Sequence, residues 1–195
     1  APQALASDEA FWAQVAASYE LTNEVALLEN GYFGAMNLAV LQAYQQATVQ
    51  VNQGSAWFAR GHFPALMRSL QQQLADFLGV ASDEIVLTRG ATEALQALIG
   101  GYNRLAPGDQ VLYADVDYDS MIAAMRWLAQ RRGVQPLAIA LPDPASTASL
   151  LQAYEHALQR HPKVKLLLLT QVNHRNGLLL PVAGLSLLLA GFTPT

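Results

Sequence analysis

From residue 84 onwards, short apolar segments alternate with longer segments of helical periodicity. The mainly apolar segments are 85–88, 110–113, 137–141 and 164–169, and a turn and a helical pattern follow each of them. Strands that are apolar throughout and alternate with helices are typical of a parallel sheet that is covered on both faces. The sequence therefore predicts an α/β fold with a mostly parallel sheet and flanking helices.

The amino-terminal part is predicted to be mostly helical. Residues 36–51 have a helical composition that ends at Gly54, and apolar side chains recur at helical spacing over 63–78, where Gly79 follows as a C-cap. The short apolar run 25–28 precedes a glycine-containing turn and predicts a strand.

The segment from Ile85 to Leu95 combines an apolar run, a glycine turn and the start of a helix. The first amide N–H groups of a helix have no partner within the helix, and the helix dipole adds positive charge there. Gly90 would let a phosphate approach the backbone, and Thr92 would add a hydroxyl group. The same pattern also fits an ordinary turn in which Thr92 caps the helix. Both a phosphate site and a structural turn are therefore open at this point.

Two further loops follow strands of the predicted sheet, and they contain most of the remaining polar residues. In an open parallel sheet, ligands bind beyond the carboxyl ends of the strands, where loops 114–119 and 170–177 are expected. Asp117 also fits a helix cap, and Tyr118 also fits a core aromatic residue. The alternating aspartates do not form a calcium loop, because the positions that require Gly and Glu hold Ser120 and Arg126.

Composition and missing motifs exclude several classes of function. The chain has a net charge of -4 and no cysteine, and its 11 Lys and Arg residues do not cluster, so a nucleic-acid interface and thiolate metal sites are not expected. The four isolated histidines give no zinc-binding spacing. No apolar run approaches a membrane span, and neither a dinucleotide glycine motif nor a Walker loop is present. With 52% hydrophobic and 13% charged residues, a large buried interface is expected.

Four stretches together resemble the amino-terminal part of the class V aminotransferase-like enzymes. These enzymes depend on pyridoxal 5′-phosphate (PLP) and include isopenicillin N epimerase-like proteins and cysteine desulfurases. The stretches are 29–34 (Glu-Asn-Gly-Tyr-Phe-Gly), 87–95 (Leu-Thr-Arg-Gly-Ala-Thr-Glu-Ala-Leu), 115–121 and 169–182. The resemblance implies the large domain of a fold-type I PLP-transferase, here truncated. It divides the chain into an N-terminal arm with helices, 1–55, and the first part of the large domain, 56–195.

The resemblance also implies a PLP site in the loops. Gly90, Ala91 and Thr92 would hold the cofactor phosphate, in agreement with the phosphate site suggested by the residues themselves. Tyr118 would lie against the pyridine ring, where an aromatic face is physically sensible.

The family's Ser-Asn-x-x-Gly stretch, whose Asn contacts the phenolic oxygen of PLP, corresponds to the loop that ends at Gly177. Alignment on that glycine places His174 at the Asn position and Asn173 one residue earlier, and the sequence leaves open which of the two makes the contact. Asn30 and Gly31 would line the substrate end of the site, and Arg175 is a weaker candidate for binding a substrate carboxylate.

The resemblance implies no catalytic residue in this chain. Family enzymes carry an Asp that pairs with the pyridine nitrogen and a Schiff-base Lys, and both are expected beyond Thr195 together with the small domain. Lys163 precedes the predicted strand 164–169, and Lys165 is near its start. Both are therefore expected at the amino end of the strand, away from the ligand. The resemblance implies that the complete protein is a homodimer and that it is located in the cytoplasm. The start at Ala1 also fits a cleaved export signal.

Two hypotheses of function follow. The first is a PLP-dependent enzyme acting on an amino acid by transamination, epimerisation or carbon–sulfur cleavage, for which these 195 residues alone would bind PLP weakly and turn over nothing. The second is a non-catalytic fragment of α/β type that binds a phosphate-bearing ligand or another chain. A dinucleotide-binding module is least favoured, because the glycine motif is missing.

Overall fold

The computed structural model describes residues 5–31 and 33–192, and the chain divides into two compact units, Ala1–Val86 and Leu87–Thr195. Tyr32, which belongs to the first stretch of the family resemblance, lies outside the described residues. The division at residues 55 and 56 that the resemblance implied stays a prediction.

The described part of the first unit is built from helices. They are α1 (Glu9–Ala17), α2 (Leu38–Trp57), a π-helical turn (Phe58–His62), α3 (Phe63–Leu78) and a short 3-10 turn (Ser82–Glu84). The helix predicted over 63–78 is confirmed at both ends.

Glycines shape two of the helix boundaries in this unit. Gly79 ends α3 in the left-handed conformation with φ of 70°, which is the C-cap that the sequence predicted. The break predicted at Gly54 is found one residue later, at Ser55, where the backbone leaves the helical conformation before α2 ends at Trp57. A Cβ at position 54 would lie 2.6 Å from Cβ of Phe58, so glycine is what permits this close approach.

The strand predicted over 25–28 is wrong. The segment is irregular, and the side chain of Leu28 is 95% exposed. A strand needs a hydrogen-bonding partner, and the described residues of this unit include no other strand with which 25–28 could pair.

The second unit contains a three-stranded sheet. Its strands are β1 (Gln110–Ala114), β2 (Gln135–Ile139) and β3 (Val164–Leu167), in the order β2-β1-β3. Both pairings are parallel, with Leu112 opposite Leu137 on one side and Leu167 on the other. The predicted parallel sheet is thereby confirmed.

Helices cover both faces of this sheet. They are α4 (Ala91–Gly101), α5 (Asp119–Arg132), α6 (Thr147–Arg160) and α7 (Val182–Ala190). Successive residues of β1 point to opposite faces, so Val111 and Tyr113 pack with α4 and α5, whereas Leu112 packs with α6 and α7. The central strand is therefore buried from both sides, and its carboxyl end is held at a fixed place in the unit.

The strand predicted over 85–88 is also wrong. The segment is irregular, and Val86 is 82% exposed. The carbonyl oxygen of Ile85 accepts a hydrogen bond from Nε2 of Gln71 at 2.5 Å instead of pairing with a strand. The segment preceding the predicted phosphate turn is thus a connection, although α4 begins at Ala91 as the sequence predicted. Among the residues that the structure describes, no helix is both long and apolar enough to span a membrane.

Candidate functional site

Asp117 lies just beyond the carboxyl end of β1 and is only 1% exposed. Its Oδ2 accepts a hydrogen bond from the backbone N–H of Ala114 at 2.8 Å, and its Oδ1 accepts one from the hydroxyl of Thr170 at 2.5 Å. The helix cap suggested by the sequence is wrong, because α5 is capped by Tyr118 without any side-chain hydrogen bond. Asp117 instead ties the end of β1 to the segment that follows β3.

Asn173 is the second buried polar residue of this region, with 2% exposure. Its Nδ2 donates to the carbonyl oxygen of Val116 at 2.5 Å, and its Oδ1 accepts from the backbone N–H of Arg175 at 2.8 Å. Around it the chain forms a hairpin-like loop, in which Val172 and Leu179 form an antiparallel bridge. Both ends of the Asn173 amide are therefore used to hold the loop against the residues after β1.

Two further contacts join the same loops at the surface. The rings of Tyr118 and His174 meet edge to face, with centroids 5.0 Å apart and an interplanar angle of 78°. Nη2 of Arg175 lies 2.5 Å from Oδ1 of Asp119, in an ion pair whose side chains are both well exposed. The two loops are thus joined by two buried contacts, by a ring contact of the half-buried Tyr118 and by an exposed ion pair.

The amino end of α4 has the features that an anion requires. Gly90 precedes the helix in an extended conformation, with φ of 172°, and the helix has no side-chain cap. The alternative in which Thr92 caps the helix is therefore wrong. Since a Cβ at Gly90 would meet nothing within 4 Å, the space beside the first amide N–H groups is open.

A hydrogen bond from the Arg89 backbone to Glu93, together with an exposed ion pair of the two side chains, spans this turn, and the sequence did not single it out. Both Oε atoms of Glu93 accept hydrogen bonds from the Arg89 side chain at 3.1 Å, and Oε2 also accepts from the Arg89 backbone N–H at 2.8 Å. These hydrogen bonds lower the pKa of the Glu93 carboxyl, and the bonds from the Arg89 side chain have a larger effect than the bond from its backbone. The turn before α4 is therefore braced without use of the helix N–H groups.

The phosphate-binding candidates and the aromatic candidate belong to one face of the sheet. Leu95, which lies about one helical turn beyond Gly90, and Tyr118 both pack against the core cluster that includes Val111 and Met125. The structure thus places Gly90, Ala91 and Thr92 on the helix that shares this core with Tyr118.

Other predicted residues lie elsewhere. Asn30 belongs to the first unit, where its Oδ1 accepts a hydrogen bond from the backbone N–H of Ala35 at 2.9 Å and where Gly31 is exposed. Lys163 and Lys165 lie at the amino end of β3, and Nζ of Lys165 is 3.5 Å from Oδ1 of Asp109. The two lysines are therefore at the end of β3 opposite to Thr170, as the sequence predicted.

Burial controls the protonation of the acid beneath the loops. Removal from water raises the pKa of Asp117, although hydrogen bonds from Thr170 and from the Ala114 backbone act in the opposite direction, and the charge of Asp115 adds to the rise. The hydroxyl of Tyr154 is fully buried and has no hydrogen-bond partner in the described part of the chain. Burial, followed by the charges of Asp117 and Asp115, raises the pKa of Tyr154.

Stability is expected to depend on pH through Asp117. Its pKa is raised in the fold, so the folded state binds more protons than the unfolded state above the ordinary carboxyl pKa of 3.8. This contribution is present at lower pH and is lost as the pH rises through the raised pKa. We expect the stability of the wild type relative to Asp117→Asn to fall as the pH rises from below 3.8 through the raised pKa of Asp117. Urea unfolding followed by Trp127 fluorescence, with Trp12 and Trp57 replaced by Phe, measures this difference, and a constant difference would contradict the assignment.

The sequence did not identify the role of Asp117 and Thr170, although a signal was present. Each residue stands three positions beyond the end of its strand, Asp117 after Ala114 and Thr170 after Leu167. Since β1 and β3 are parallel neighbours in the sheet, the segments beyond their carboxyl ends lie side by side. Among the described residues, no group of His, Cys, Asp or Glu side chains forms a metal site.

Comparison with known proteins gives a consistent picture. The family model described as aminotransferase class-V matches residues 36–190. A cysteine desulfurase from Pectobacterium carotovorum subsp. carotovorum (strain PC1) is 30% identical over 119 residues, which are 60% of this chain and 28% of that protein. The chain thus spans less than a third of that relative's length.

Solved structures share the fold. The cystine C–S lyase C-DES in complex with its product, cysteine persulfide, superposes with a TM-score of 0.73 at 21% identity, covering 82% of this chain and 42% of that one. A C-DES variant with glycine covalently linked to the PLP cofactor gives a TM-score of 0.70 at 21% identity, covering 80% and 40% of the two chains. The fold is therefore that of the fold-type I PLP enzymes, of which this chain contains a part.

Proposed function

The chain belongs to the aminotransferase class-V family, and on this premise we propose that it is part of a PLP-dependent enzyme that acts on an amino acid. The observation that carries the proposal is the uncapped amino end of α4, which shares one core with Tyr118. The relatives named above are a cysteine desulfurase and a C–S lyase, which favours carbon–sulfur cleavage over transamination and epimerisation.

The phosphate of PLP fits the turn at Gly90. The amide N–H groups of Ala91 and Thr92 begin α4 without a side-chain cap, and Arg89 and Glu93 brace the turn from outside. The helix dipole favours a negative charge at this end, and the Thr92 hydroxyl supplies one further donor. These residues bind and orient the cofactor, which itself supplies the electron sink for bond cleavage next to the amino group.

The ring of the cofactor is assigned to the edge-to-face pair of Tyr118 and His174. Asn173 is buried and bonded at both ends of its amide, so His174, whose side chain is exposed, is the residue that we assign to the phenolic oxygen. The flat face of Tyr118 would orient the ring by stacking and exclude water from one of its sides.

The remaining assignments rest on the family resemblance. Arg175 would have to exchange Asp119 for a substrate carboxylate, since the two now form an ion pair. Asn30 and Gly31 stay proposed substrate-binding residues. Lys163 and Lys165 lie at the amino end of β3, and we do not propose them as catalytic residues. A homodimer is proposed for the whole enzyme.

Binding of PLP compared with pyridoxal tests the proposal. Pyridoxal has the same ring but no phosphate, so we expect the protein to bind PLP at least about tenfold more tightly, in keeping with a few charge-assisted hydrogen bonds. Absorbance titration with each compound gives the two dissociation constants, and sulfide release from cysteine measures turnover. Equal affinity for both compounds would contradict the phosphate site at Gly90.

A second outcome would favour the non-catalytic alternative. The observation behind it is the position of the two lysines, neither of which lies near the Thr170 end of the sheet. Tight PLP binding by these residues would favour a module that only binds the cofactor, because part of an enzyme is expected to bind PLP weakly, whereas absence of turnover is expected in both cases.

A further inference from the structure

Two buried contacts hold the loops on which the proposed ring site stands. Asp117 accepts from the Ala114 backbone within its own loop and from the Thr170 hydroxyl in the loop after β3. Asn173 adds a second connection to the carbonyl oxygen of Val116. The contact between Asp117 and Thr170 spans 53 positions of sequence, so it depends on the adjacency of β1 and β3.

These contacts stand directly beside the two aromatic rings. Asp117 immediately precedes Tyr118, and Thr170 opens the loop that carries His174. Across the two loops the rings contact each other edge to face, with centroids 5.0 Å apart, and Arg175 forms an exposed ion pair with Asp119. Because exposed ion pairs contribute little to stability, the buried contacts are the ones that can hold the loops at a fixed spacing.

We propose that Asp117 is a positioning residue, which binds Ala114 and Thr170 together and thereby sets the spacing of Tyr118 and His174. The role rests on the proposed function in one respect, since the two rings matter for catalysis only if they hold the cofactor. The positioning itself is a property of the ligand-free protein.

The surroundings of Asp117 favour a carboxylate over an amide. Both of its oxygens accept hydrogen bonds, one of them from a backbone N–H that can only donate. An asparagine would present one NH2 group, which cannot accept from Ala114, although the Thr170 hydroxyl is able to accept from it. Asp117→Asn is therefore expected to keep both hydrogen bonds only in the orientation in which its oxygen faces Ala114 and its NH2 group faces Thr170. Asp117→Ala removes both hydrogen bonds.

The matched pair Thr170→Val and Thr170→Ser tests the proposal on the ligand-free protein. Serine keeps the hydroxyl that donates to Asp117, and valine removes it at nearly constant size. The readout is the imidazole C–H resonances of His174, assigned by loss in His174→Gln among the four histidines of the chain. Tyr118→Ala gives the reference position of these resonances without the neighbouring ring.

We expect Thr170→Ser to leave the His174 resonances at the wild-type position and Thr170→Val to move them towards the Tyr118→Ala reference. PLP affinity is expected to fall about tenfold in Thr170→Val and to stay within about twofold in Thr170→Ser. Wild-type positions in Thr170→Val would overturn the proposal. If Asp117→Ala fails to fold, the Thr170 pair alone decides the outcome.

The two proposals fail in different ways. In one outcome, the His174 resonances shift in Thr170→Val, but the wild type binds PLP no better than pyridoxal. This outcome would support the positioning role and contradict the proposed function. Tight PLP binding by the wild type with unmoved resonances in Thr170→Val would support the function and overturn the positioning role.

Discussion

Replacement of Gly90 by aspartate is expected to weaken PLP binding by about 100-fold while slightly stabilising the protein. The new carboxylate would stand where the phosphate is proposed to bind, at the uncapped amino end of α4. Two negative charges about 4 Å apart repel each other by roughly 4 kcal/mol near a protein surface, and a 100-fold loss corresponds to about 2.7 kcal/mol. The repulsion is therefore large enough to give the expected loss.

The same substitution should not damage the fold. The backbone of Gly90 is extended, and a Cβ there meets nothing within 4 Å, so any residue fits. Aspartate is also a better N-cap than glycine and complements the helix dipole, which together should add roughly 0.5 kcal/mol to the free energy of unfolding.

Gly90→Ala is the matched control, since it adds a side chain without charge. Its PLP affinity should stay within about threefold of the wild type, because the Cβ enters open space. Parallel absorbance titrations and urea unfolding of both variants separate the two effects. Unchanged PLP affinity in Gly90→Asp would exclude the phosphate from this turn.

The sequence predicted those elements whose signal is local. Helix α3 was predicted from its helical periodicity and its terminal Gly79, and β1 was predicted from a short apolar run between turns. The runs 25–28 and 85–88 have a similar composition but form no strand. A strand exists only where a neighbouring backbone pairs with it, and a short apolar segment does not reveal whether that neighbour is present.

The residues of the candidate site also differ in whether a local sequence pattern indicates them. Gly90 is identified from the sequence because a turn before a helix is a local pattern, whereas the role of Tyr118 is implied by the family resemblance. The contact of Asp117 with Thr170 requires knowledge that β1 and β3 are neighbours, which is a property of the whole sheet. Asn173 and His174 are adjacent in sequence, and only the burial of one and the exposure of the other separates their roles.

Opposite effects are expected when Asn173 and His174 are each replaced by alanine. Asn173→Ala would leave the carbonyl oxygen of Val116 and the N–H of Arg175 without their partners. A typical hydrogen bond contributes about 1 kcal/mol to stability, so the loss of two should lower the free energy of unfolding by about 2 kcal/mol. Urea unfolding followed by Trp127 fluorescence measures this loss.

His174→Ala should instead leave stability within about 0.5 kcal/mol, since the side chain is exposed and its ring contact is with Tyr118. Its PLP affinity should fall by about tenfold or more through loss of the proposed contact to the phenolic oxygen. Loss of PLP affinity in Asn173→Ala at full stability, with His174→Ala unaffected, would reverse the assignment. In that case the second N–H of the Asn173 amide, which the bond to Val116 does not use, would donate to the phenolic oxygen.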